Sequence, residues 1–274
     1  MNQIKRVLPV VFVFLAGVAG GIFRGIELTE CYDDITGLYT AGPVTYVLLC
    51  FSAVVAVLCL LLALLKKKIT APYPVIYHCG VPGAMFCMLA GVIMIVAGFM
   101  RLISFFSDGR YASLFFGILT VLCGVSFIAL SAARKRGSMP EMTGLGAVVT
   151  VFWACFMLIF VFMEHPVEPV ELLYLYDLLA MCCALLSIYA VVAQLFDRDR
   201  MRIALFSSLG AVFFLTVSGL GRLMTFFYSG SFHFITQVDF RLVVYASLLL
   251  YCVSNATSLL MNVETEAQED NQLQ

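Results

Sequence analysis

Eight stretches of this chain, at about 7–23, 43–65, 82–106, 111–133, 143–163, 170–195, 202–228 and 240–262, are almost wholly apolar. Each is long enough to cross the roughly 30 Å hydrocarbon layer of a bilayer as a helix. Lipid offers a backbone amide no partner, so a spanning segment must bond to itself, and the open choices shrink to helices or a closed barrel. Continuous runs without strand-like alternation select helices. The expected fold is all-α, a polytopic bundle of eight transmembrane helices. Composition agrees: 62% of the residues are hydrophobic and 12% are charged, about half the charged share of a soluble domain.

Charge sets the expected orientation. Lys5, Arg6, Lys66, Lys67, Lys68, Arg134, Lys135, Arg136, Arg198, Arg200 and Arg202 fall on alternate connections, which the positive-inside rule assigns to the cytoplasm. The other connections carry no lysine and most of the acids, including Glu27, Glu30, Asp33, Asp34, Glu164, Glu168 and Glu171. Both termini are therefore expected inside, in the cell membrane. The first run follows "IKR" and ends in small residues, as a signal peptide does. It is read as a retained helix, because the repeat described next needs it. Of the ten cysteines, eight lie within the runs, so no disulfide framework is expected.

Residues 90–109 align without gaps on 211–230, with identities at Ala90, Val96, Gly98, Arg101, Leu102, Phe105, Phe106 and Gly109. "YASL" at 111–114 recurs at 245–248. The chain thus reads as two parallel four-helix repeats, 1–137 and 138–274, the second ending in a short acidic cytoplasmic tail. The segment "GFMRLISFFSDGRYASLFFGILTV", with its Gly-x-x-Arg-Leu-x-Ser...Asp-Gly pattern, resembles the third and fourth helices of an uncharacterised family of small four-helix bacterial membrane proteins. "GLYTAGPVTYVLLC" is similar to that family's second helix. The second half matches through Arg222, Thr225 and Gly230, but has Tyr228 and Ser229 in place of Ser107 and Asp108. The resemblance implies a fold and carries no activity.

Arg101 and Arg222 stand about five residues before the outer ends of their runs, some 8 Å deep at ~1.5 Å per residue. A cation there suits the helix C-terminal dipole, and a long arginine reaches the headgroups. The functional alternative is that both arginines, supported by Arg24 and by Arg241, line an outward-facing pocket and grip a carboxylate or phosphate. Asp177 is the deepest acid. It should face the interior and pair with Arg101 or Arg222, while Tyr46 holds its place in the first half. Glu164, His165, Glu168, Glu171, His233 and Asp239 form no recognised ligand spacing, so no metal and no cofactor is expected. His78 and Cys79, in "APYPVIYHCGVPG", match no motif, and that loop is expected at the membrane interface. Gly17, Gly21 and Gly25 repeat every four residues and would admit a neighbouring backbone, either within the bundle or in a homodimer or membrane-protein partner. Ser254, Asn255, Thr257 and Ser258 are read mainly as packing residues.

No phosphate loop, zinc-protease pair, nucleophile elbow or nucleic-acid signature is present, which argues against an enzyme and against nucleic-acid binding. The span centres are almost uncharged, against classical ion coupling. The expectation is a non-enzymatic accessory or interaction protein that takes an anionic lipid or small anion at Arg101, Arg222, Asp177 and Arg24. The alternative is a transporter for a small solute or lipid.

Overall fold

The computed structural model describes residues 2–31, 42–66, 73–109, 111–138, 140–163, 174–196, 198, 200–229 and 240–272. Among them are nine helices and no strand: α1 (Asn2–Glu30), α2 (Pro43–Leu65), α3 (Tyr73–Ile76), α4 (Val81–Asp108), α5 (Tyr111–Arg136), α6 (Glu141–Met163), α7 (Leu175–Leu195), α8 (Met201–Ser229) and α9 (Phe240–Gln272). All but α3 are long and apolar enough to span a membrane, as the apolar runs require. Their ends follow local chemistry. Pro43 and Pro82 sit in first turns, where a missing N–H costs nothing. α4 stops at Gly109, whose φ of 62° is a left-handed cap and whose N–H donates to Phe105 O at 2.8 Å.

Six helices close a ring of neighbours, α4 on α5, α5 on α6, and so on to α9, which returns to α4. α1 lies along α8, and α2 flanks both. In α8, 78% of the apolar stretch is buried, against 28% in α1 and in α2, so α8 is the inner helix and the other two face lipid along much of their length. Small residues permit the tightest contacts. A Cβ on Gly91 would stand 2.7 Å from Gly124 O, one on Gly124 2.7 Å from Gly91 O, and one on Gly98 2.9 Å from Val121 N. α4 and α5 therefore touch backbone to backbone.

Gly17, Gly21 and Gly25 meet Thr216, Leu220 and Met224 in the same way: an added Cβ would fall 2.8, 2.6 and 2.6 Å from their Cβ atoms. Contact positions on both helices rise together, so α1 and α8 run parallel. Of the two alternatives that the glycine spacing leaves open, the stripe takes the first, since it is filled by α8 of the same chain. Contacts between helices cross residue 137. α1 and α2 are seated on α8, whereas α4 and α5 pack on α9 and α6. The aligned helices α4 and α8 thus have different surroundings. Their local likeness survives in one detail: Ser104 Oγ donates to Arg101 O and Thr225 Oγ1 to Arg222 O, both at 2.8 Å.

At the other end of the bundle, residues 73–79 turn several side chains into the protein. Tyr73, Ile76 and Tyr77 are buried against α9 and the end of α5. The Asn262 side-chain amide donates to Ile76 O and His78 O, both at 2.7 Å. Asn262→Ala should cost about 1 kcal/mol, because these bonds are partly wet. It should also speed hydrogen exchange at residues 75–80. Unchanged exchange there would mean that the rings alone hold the loop.

Candidate functional site

α8 places Ser218 and Arg222 four residues apart, on one face. Both reach Asp177 in the first turn of α7: Ser218 Oγ donates to one carboxylate oxygen and Arg222 Nη2 to the other. The acid is buried, as a carboxylate with a cation and a hydroxyl to hold it can be. Between these two positions lies Gly221, where a Cβ would stand 2.5 Å from Arg24 Cγ. The missing side chain lets the Arg24 stem cross α8. Its guanidinium then bonds Glu27 one turn on, Nη1 to Oε2 at 2.5 Å, and lies 5.0 Å from the Tyr176 ring centroid. Tyr176 in turn accepts a bond from Ser52 Oγ of α2 at 3.3 Å.

Arg24, Leu28, Tyr174, Asp177, Ser218 and Arg222 enclose a cavity of about 130 Å³. Among the described residues, Arg24, Arg222 and Asp177 are the charged groups that line it, with Glu27 paired to Arg24 behind them, and these charges are not equally accessible. The Glu27 side chain is 0% exposed and that of Asp177 7%, while that of Arg222 is 26% exposed. Of the charged side chains that line the cavity, Arg222 is therefore the more exposed and Asp177 the more buried.

Of the residues expected at one site, the structure gathers Arg24, Arg222 and Asp177, and it selects Arg222 as partner of the acid. Arg101 is elsewhere. Its guanidinium lies 4.9 Å from the Phe160 ring centroid and 5.6 Å from that of Phe240, within electrostatic range of Arg241. The reason is packing. α4 sits on α5 and α9, and Tyr46, which holds the place of Asp177 in the first half, is 61% exposed on α2, away from α4. Glu27 counts only as one of the outer acids in the sequence, although its position three residues after Arg24 is a signal for the pair. Ser218 stands one turn before Arg222 and is not paired there either. Glu164, His165, Glu168, Glu171, His233 and Asp239 lie outside the described residues. Among the described residues, no three His, Cys, Asp or Glu side chains gather as metal ligands would. Ser254 donates to Gly83 O of α4 at 2.8 Å, a packing role.

No protein-family model, curated protein or solved structure matches the chain.

Proposed function

We propose that this multi-pass membrane protein is a non-enzymatic accessory or interaction protein, and that its Arg222 cavity takes the anionic group of a lipid headgroup or small soluble anion. The observation that carries this is the accessibility order at the cavity: both carboxylates are buried and the guanidinium of Arg222 is the exposed charge. A planar fork presented at a cavity wall is suited to phosphate or carboxylate. Positive charge on alternate connections supports a cytoplasmic position for both termini and an outward-facing cavity in the cell membrane. What lies beneath favours binding over passage. Phe213, Phe214, Leu215 and Val217 are buried, and the Thr216 hydroxyl is spent on Val212 O at 2.6 Å.

Native mass spectrometry on protein in detergent tests the reading, with phosphatidylglycerol, phosphatidylcholine, and inorganic phosphate as separate probes. Wild type should retain phosphatidylglycerol or phosphate over phosphatidylcholine, and Arg222→Gln should weaken that retention about tenfold, the worth of one charge-assisted bond. The two anionic probes distinguish a headgroup from a free anion. Equal retention of all three, or no change in Arg222→Gln, would discard the proposal.

A further inference from the structure

The opposite end of the bundle holds a cation in a different setting. Arg134 ends the buried face of α5 that includes Phe127 and Leu130, and it is 1% exposed. Its Nε donates to the Tyr73 hydroxyl at 3.0 Å, and its guanidinium lies 5.1 Å from the Tyr77 ring centroid and 5.5 Å from that of Tyr251. Tyr77 and Tyr251 are themselves fully buried. The rings and the C-terminal dipole of α5 favour a cation here. They do nothing for its hydrogen bonding. Among the described residues, Nη1, Nη2 and the Tyr77 hydroxyl have no partner, and the Tyr251 hydroxyl has only the Asn255 side chain beside it, outside good hydrogen-bond geometry. Buried donors left in this state are costly, and so is a buried guanidinium with no carboxylate bonded to it.

We propose that Arg134, Tyr77 and Tyr251 form a buried site for a small monovalent anion of halide size, on a part of the protein separate from the Arg222 cavity. The chemistry of the groups selects the ligand. Both nitrogens are donors, and the two phenols can donate as well, so an acceptor-only species satisfies all of them. Burial pushes the Tyr77 phenol well above its ordinary range, against the pull of Arg134, which keeps it an O–H donor. One guanidinium balances one negative charge. Full burial of the three side chains disfavours a lipid phosphate, which would bring acyl chains with it. Lys135 and Arg136, exposed in the same turn, add a positive field that raises the local concentration of anions. Asn255 Oδ1, one turn along α9 from Tyr251, is an unmet acceptor as well. Its Nδ2 is directed to Ser187 at 3.5 Å, and the two ends of such an amide exchange by rotation.

The test uses the full chain in detergent, exchanged into sodium gluconate and titrated with chloride, bromide or phosphate at constant ionic strength. Thermal unfolding is followed by the emission of Trp153, the chain's one tryptophan, fully buried and bonded to Thr120 Oγ1 at 2.9 Å. Chloride and bromide should raise the midpoint with saturation. Tyr77→Phe keeps the ring and removes one donor. In gluconate it should be at least as stable as wild type, because it removes an unmet buried donor, and it should bind halide about tenfold more weakly, the worth of one bond to a charge. Bromide-soaked crystals should show an anomalous peak beside Arg134. Absence of a saturable halide response in wild type would overturn the proposal, as would an unaltered response in both Tyr77→Phe and Tyr251→Phe. A response to phosphate alone would overturn the halide assignment.

Discussion

Asp177→Leu should destabilise the protein by about 2–3 kcal/mol. Breaking a buried ion pair typically costs about 3–5 kcal/mol, and the figure is lowered here because the Arg222 side chain is a quarter exposed and can rehydrate. The substitution leaves Arg222 without its carboxylate and removes the acceptor that Ser218 uses. Arg222→Met should cost a similar amount or more, since it strands the more deeply buried partner. The double variant Asp177→Leu with Arg222→Met should recover to within about 1 kcal/mol of wild type, because a well-packed apolar pair often equals a buried ionic one. Chemical denaturation in mixed micelles, followed by Trp153 emission, measures all three. Additive losses in the double variant would show that the two side chains are not coupled.

Gly124→Val should have the larger effect, about 3 kcal/mol or more, at the upper end of overpacking penalties. The new Cβ would meet Gly91 O at 2.7 Å and Ile95 N at 2.9 Å, and backbone atoms cannot rotate aside. α4 and α5 must separate, which loosens the largest contact in the bundle. Gly219→Ala is the matched control. It stands in the aligned helix at the place of Gly98, has nothing within 4 Å of its added Cβ, and should change stability by less than about 1 kcal/mol, in either direction. Equal losses in the two variants would remove the case for a backbone contact as the cause.

These two positions also mark how far the amino-acid order can be read. Helix existence was legible, because run length alone decides it in lipid. So was the pairing of Asp177, since a carboxylate at that depth needs a cation and only a few are near. Neighbours were not legible. The match between 90–109 and 211–230 suggests equivalent roles for Arg101 and Arg222, yet the residues carrying the match say nothing about which helices pack alongside. Arg222 meets α7 and its acid, while Arg101 meets the rings of Phe160 and Phe240. Arg134 was hidden by its company. Within "ARKR" it reads as one more cytoplasmic charge, and only its spacing from Phe127 and Leu130 sets it on the buried face. The burial of side chains within 73–79 had no local signal either, since the tyrosines and prolines that suggest an interface equally suit burial.

The parallel seating of α1 on α8 has a consequence for how the protein is made. α2 to α7 are synthesised between the two partners, so α1 enters the bilayer with its glycine face bare and waits there for α8. The charges it carries are suited to that interval. Arg24 pairs with Glu27 of its own helix, so α1 brings a neutralised pair into lipid without help from the rest of the chain. Asp177 has no such local partner. Its arginine arrives one helix later, on α8, and the arrival that neutralises it is the same one that covers the glycines of α1.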